Sequence, residues 1–179
     1  NPLIFPDQDK VISGGNFHGE PVALALDFLG IACSELASIS ERRIAALMNP
    51  EISDLPVFLA QEPGLNSGFM LAQIVAASLV SENKSLSHPA SVDSIPTSNN
   101  QEDHVSMGTI AARKAREIIK NTEDVLAIEF LAASQGIDFR APLKPGIGTG
   151  KIYRQIRKRI SPVTKDRLLV GDLVSMKEL

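Results

Sequence analysis

The chain has 179 residues and a formal net charge of −3, from 18 Lys and Arg against 21 Asp and Glu; that is room for one domain with a real core, and it leaves no basic footprint for nucleic acid or an anionic membrane surface. Cys33 is the single cysteine, so an internal disulfide is excluded, a reducing, cytoplasmic setting is the default, and the residue reads as a small core side chain. No signal-peptide pattern is present and polar residues interrupt the longest apolar stretches, so no membrane span is expected.

Residues 1–18 read as loop. Pro2 and Pro6 limit regular structure, and Ser13-Gly14-Gly15-Asn16 is a turn cluster whose glycine pair either makes a tight turn or lets the backbone approach a ligand. A long helix is predicted from about Glu20 to Met48, with Pro21 in its first turn. Ala25, Leu29, Ala32, Leu36, Ile39 and Leu47 recur on it at helical spacing, Gly30 permits a close helix approach, and Arg42 and Arg43 complement the dipole near its end. Such a rod is roughly 40 Å long, more than a lone domain of this size needs, and it points to a bundle shared with other chains or segments. Pro50, Pro56 and Pro63 keep residues 49–65 irregular. A second helix is predicted from about Asn66 to Ser85. Its stretch Phe69 to Val80 is apolar almost all round, broken by Gln73 and Ser78, which predicts burial on every side.

Residues 86–102 form a long loop without apolar periodicity, and loops of that length inside a domain are often functional. A third helix is expected from near Asp103 to about Gln135, with Asp103 or Ser106 as cap and a stripe of Ile110, Ala111, Lys114, Ile118, Val125, Ile128 and Leu131. Asn121-Thr122 is a candidate break, although one continuous helix is favoured, and Gly136 is its expected end. After a Pro/Gly loop over 137–148 comes a short basic helix, about Thr149 to Arg159, whose charges read as a solvated face. Ser161-Pro162 breaks the pattern, and a last helix is expected to start at Asp172. With no Trp and one Tyr, Tyr153, the core is Leu, Ile, Val and Ala. No internal repeat and no period-2 alternation appear, so the fold class is all-α: a long-helix bundle, one unit over 1–179. The chain begins at Asn1 in a run that reads like the middle of something, which suggests a piece of a larger protein.

His18, His88 and His104 have no metal-ligand spacing, and no phosphate loop, dinucleotide fingerprint or nucleophile elbow is present. The polar stretch from Asn99 to His104 carries three amides, two carboxylates and an imidazole ahead of a helix. Within it Glu102 is the best candidate acid/base; helix capping together with Asp103 explains it equally well.

Six blocks carry a resemblance. They are Ile12-Ser13-Gly14-Gly15-Asn16-Phe17-His18-Gly19-Glu20-Pro21, Ser40-Glu41-Arg42-Arg43, Leu65-Asn66-Ser67-Gly68-Phe69-Met70, Ser87-His88-Pro89, Asp93-Ser94-Ile95-Pro96-Thr97-Ser98, and Asn100-Gln101-Glu102-Asp103-His104-Val105-Ser106. In this order and spacing they resemble the aromatic amino acid ammonia-lyase family across essentially the whole chain, and the Gln-Glu-Asp-His form resembles its histidine-specific branch. The resemblance implies the C-terminal, helical-bundle part of an enzyme that eliminates ammonia from L-histidine to give trans-urocanate. It implies a site assembled from several subunits of a homotetramer and an electrophilic methylidene-imidazolone (MIO) ring made autocatalytically from Ala-Ser-Gly, with no external cofactor. Position by position, Glu102 matches the active-site glutamate, a substrate contact or base. Phe17 matches an aromatic residue of the substrate pocket, and Gln101 and Asn16 are their neighbours and candidate supporting groups.

This chain departs from the family pattern in one decisive way: it contains no contiguous Ala-Ser-Gly. The strings nearest to it are Ser13-Gly14-Gly15, Asn66-Ser67-Gly68 and Ala133-Ser134-Gln135-Gly136. The chain alone is therefore expected to be inactive, since one carboxylate does not replace a missing covalent catalyst. Two alternatives stay open: a non-catalytic helical module that oligomerises, and a lyase acting on another aromatic amino acid. A fumarase or argininosuccinate-lyase relative fits the blocks poorly.

Overall fold

A computed structural model describes residues 1–15 and 17–179. Helices dominate it, as the absence of period-2 alternation predicts. Helix α1 spans Glu20–Leu47, α2 is a single turn at Pro50–Ser53, α3 spans Met70–Leu86, α4 Gly108–Phe139, α5 Ile147–Arg159 and α6 Val170–Lys177. One expectation fails at the start. Residues 1–18 are not all loop: β1 (Leu3–Phe5) pairs antiparallel with β2 (Lys10–Ile12), in the register Leu3 to Ile12 and Phe5 to Lys10. The run is too short for alternation to register, and its turn is made by Pro6–Gln8 and a left-handed Asp9. Both strands are exposed.

The α1–α4 pair is the spine, and α3 packs against both. Gly30 sets the closest approach, because a Cβ there would stand 3.1 Å from Ile118 Cδ1. Ile44, Met48, Leu59, Phe69, Ile128 and Leu131 belong to the main core, and Ile156, Val163 and Met176 carry the later segments onto it. A chain that puts Ala at 37, 72, 76, 127 and 132 in this core brings helix axes together without large side chains.

Helix α4 is continuous through Asn121 and Thr122, and both residues are spent sideways. Asn121 Nδ2 donates to Asn83 Oδ1 and Glu82 Oε2 of α3, each at 3.0 Å, and the Thr122 hydroxyl lies 2.7 Å from Ile118 O and 3.2 Å from Cys33 O of α1. Gly136 does not end α4. It is buried inside the helix, where a Cβ would come within 3.1 Å of Leu55 Cδ1, so its smallness serves packing rather than a turn. The start also moves: α4 begins at Gly108 behind a left-handed Met107, Asp103 caps nothing, and the Ser106 hydroxyl accepts the Gly108 N–H at 3.3 Å. Likewise α3 begins at Met70 rather than Asn66, and α6 begins at Val170 with Asp172 inside its first turn. Asp172 bonds Arg167 there instead of capping.

The two predicted apolar faces have a different fate from α4. Along α1 the buried positions are Ala23, Asp27, Gly30, Ser34, Ala37, Ser40, Glu41 and Ile44. Leu29, Leu36 and Ile39 of the predicted stripe are 42–46% exposed, and Phe28 is 75% exposed. The helix is inside out: polar and small residues meet this chain's own body, and the larger apolar residues point away. In α3, Leu71, Ile74 and Val75 are 47–66% exposed, so burial on every side is not reached within this chain. Cys33 is only partly buried. By length and composition α1 is also apolar enough to cross a membrane, which the sequence reading excluded. Its inner face nevertheless carries Asp27 and Glu41, both hydrogen-bonded to the rest of the chain.

Candidate functional site

Residues 87–107 connect α3 to α4 and are stitched down at intervals. The Asp27 carboxylate on α1 accepts the Ser91 N–H at 2.7 Å. Burial pushes the Asp27 carboxyl up, but the Ser91 N–H and hydroxyl, the Ala90 N–H and the Lys114 charge outweigh it and hold the group below its ordinary value. Lys114 Nζ donates to the His88 carbonyl. Further along, the Ser94 hydroxyl accepts the Val105 N–H at 2.8 Å.

The polar stretch itself is a tight excursion closed on itself. The Thr97 N–H donates to Glu102 O at 3.1 Å and the Glu102 N–H to Thr97 O at 3.3 Å, an isolated antiparallel bridge. Between them Ser98, Asn99 and Asn100 all have left-handed φ, at 53°, 55° and 65°. Asn tolerates that region and Ser less so, and strained backbone of this kind gathers at functional sites. Glu102 is therefore not at a helix start. It sits at the base of this excursion, six residues before Gly108, with its side chain exposed. Gln101 is exposed too, and its N–H donates to Ser98 O.

Phe17 lies on the loop before α1 and is 68% exposed. Asn16 lies outside the described residues. What joins the two loops is a pair of histidines. His18 Nδ1 accepts the Glu20 N–H at 3.2 Å, so its proton sits on Nε2, which donates to His104 O at 3.0 Å. The two imidazoles stack with centroids 5.3 Å apart and planes 1° apart. The Phe17 ring lies 6.4 Å from His18. On the far side, Glu20 Oε2 stands 3.9 Å from His104 Nε2; this oxygen is shielded from solvent and has no hydrogen-bond partner among the described residues. Gly19 fits the junction because a Cβ there would meet Ser106 Oγ at 3.0 Å.

Sequence reasoning passed over His18, His104 and Glu20. The two histidines are 86 positions apart, so no spacing rule links them, and only their presence in two of the quoted blocks marked them. Among the described residues no cluster of His, Cys, Asp and Glu could hold a metal ion. A separate apolar cleft of about 410 Å³ between α4, α5 and α6, lined in part by Phe130, Ile152 and Met176, contains none of the predicted site residues.

Chemically, the site offers the exposed carboxylates of Glu102 and Asp103, one exposed phenyl ring and a histidine junction between their loops. A contiguous Ala-Ser-Gly does not occur in the chain.

Known proteins share this arrangement of sequence and fold. Residues 1–158 match the family described as aromatic amino acid lyase. A histidine ammonia-lyase from Caldanaerobacter subterraneus subsp. tengcongensis is 67% identical over 173 residues, 97% of this chain and 34% of that protein. The crystal structure of histidine ammonia-lyase from Trypanosoma cruzi superposes with a TM-score of 0.95 at 52% identity, covering 99% of this chain and 35% of that one. A tyrosine aminomutase from Streptomyces globisporus superposes at 0.92 with 38% identity, covering 99% and 34%. The chain spans about a third of the length of the relatives it matches. With a family match over 158 of its 179 residues, this chain belongs to the aromatic amino acid lyase family.

Proposed function

We propose that this chain is the helical-bundle portion of a histidine ammonia-lyase, a carbon–nitrogen lyase that turns L-histidine into trans-urocanate and ammonia, and that it contributes Glu102 and Phe17 to a composite site. The observation that carries this reading is the exposed Glu102 carboxylate on a strained, tied-down excursion, joined through His104 and His18 to the loop of Phe17. A group held this way is preorganised without being consumed by its own chain. In the proposed reaction Glu102 contacts the substrate or accepts its β-proton, Phe17 packs against the substrate ring, and Gln101 and Asn16 support them. The MIO ring would supply the electrophile in the whole enzyme, from residues outside this chain.

The test is a urocanate absorbance assay on the full-length enzyme and on the isolated 179-residue chain. The full-length protein forms urocanate, and the isolated chain forms none. Glu102→Gln lowers kcat by about 100-fold or more, the scale of a lost acid/base group. Phe17→Ala chiefly raises KM. A full-length Glu102→Gln enzyme within a few-fold of the parent would remove Glu102 from the site.

A second reading concerns assembly. The outward apolar face of α1 supports a homo-oligomer, a tetramer in the whole enzyme, in which that face is covered by helices of other copies. A bundle helix of this kind, working in the cytoplasm with neither membrane nor nucleic acid as partner, accounts for α1 better than a membrane span does, because Asp27 and Glu41 lie on its packed side. Substrates other than histidine are the competing specificity, and the likeness to a tyrosine aminomutase keeps that arm in the assay.

A further inference from the structure

We infer that His18, His104 and Glu20 are positioning residues that clamp the Glu102 loop to the Phe17 loop and so set where the Glu102 carboxylate stands. The inference rests on the reading of Glu102 given above. Its physical basis is a division of labour within Glu20. The backbone N–H of Glu20 occupies His18 Nδ1 and thereby assigns the ring's only proton to Nε2, aimed at His104 O. The carboxylate of the same residue faces the edge of the second ring, His104 Nε2, at 3.9 Å. One residue in the first turn of α1 thus orients both imidazoles, and the offset parallel stack between them resists rotation of either. The shielded Glu20 oxygen has no donor among the described residues, and His104 Nε2 is the group facing it.

The clamp point matters because of what the excursion stores. The Thr97–Glu102 bridge joins the two arms of the turn to each other and not to the loop before α1, and the three left-handed residues above it carry backbone strain. The His18 bond to the carbonyl two residues after Glu102 ties the closed turn to that loop. Without it, the hydrogen bonds left to the segment past Glu102, among the described residues, are the Ser94–Val105 bond and the local Ser106–Gly108 bond at the start of α4. A carboxylate displaced by about an ångström loses on the order of 100-fold in rate.

The experiment uses the full-length lyase with two readouts, steady-state kinetics on histidine and amide hydrogen exchange across residues 97–106. His18→Ala is expected to lower kcat by about 10- to 100-fold with KM little changed, and to speed exchange across 97–106. His18→Gln, whose side-chain N–H can reach the same carbonyl, is expected to recover most of the rate and of the protection. Unchanged exchange in His18→Ala, or unchanged kcat despite faster exchange, would overturn the clamp. A parent enzyme that makes no urocanate would instead sink the lyase reading, and exchange alone would then decide whether His18 holds the loop.

Discussion

At the scale of single residues, the chain invests its buried charge in a few carboxylates, each tied to named donors. Glu41 is 4% exposed. Bonds from Arg42 outweigh its burial, and Gln73 adds a third bond, which holds its carboxyl below the ordinary value of 4.5. For Glu129, burial alone would raise the carboxyl, but Arg43 and the Ser40 hydroxyl reverse the sign and also leave it lowered. Carboxylates held low stabilise the fold above their unfolded values and stop doing so as pH falls through the lower, folded values. The thermal midpoint is therefore expected to drop as pH is taken below about 4.5, and calorimetry across that range checks it. Arg43→Gln should shrink that acid-induced drop, by a modest amount because the guanidinium is half exposed. An unchanged pH profile in the variant would show that Glu129 is not held low by Arg43.

At the scale of elements, a few junctions carry constraints that no propensity reveals. Gly68, just before α3, has φ +54°, and a Cβ there would lie 2.5 Å from Phe58 O and 2.9 Å from Ala60 Cβ. Its N–H and that of Ser67 are both taken by the Asp166 carboxylate, at 2.9 and 2.8 Å. Gly68→Ala is thus expected to cost about 2–4 kcal/mol, combining left-handed strain with a backbone clash, measurable by denaturant unfolding. A loss below about 0.5 kcal/mol would mean that the loop relaxes freely. The same logic explains Gln135, whose side-chain amide exchanges two bonds with the Val163 backbone, at 2.9 and 3.0 Å, and so docks the segment before α6 onto α4.

At the scale of the molecule, α1 is the informative helix. Its 28 residues make a rod about 42 Å long, and its larger apolar residues face away from this chain. Aliphatic side chains left in water at that density favour association. The full-length protein is expected to run as a discrete oligomer in light scattering, and the pair Phe28→Glu and Ile39→Glu, on the outward face, is expected to shift it toward smaller species. An unchanged mass in the double variant would show that this face is not the one that joins copies.

The sequence by itself determined the helical class, the approximate span of each long helix, the stripe of α4 and, through six short blocks, the family. It pointed to Glu102 and Phe17 because residue type and block order are local facts. Only the tertiary structure decided which side of α1 faces inward, since periodicity marks a face without saying what covers it. It decided that Asn121, Thr122 and Gly136 sit inside one helix, because cross-helix partners and a neighbouring Leu55 outweigh local breaker tendencies. It also decided the histidine junction. His18 and His104 are joined by a hydrogen bond and a stack across 86 positions of chain, and contacts of that separation exist only once α1 and α4 have packed.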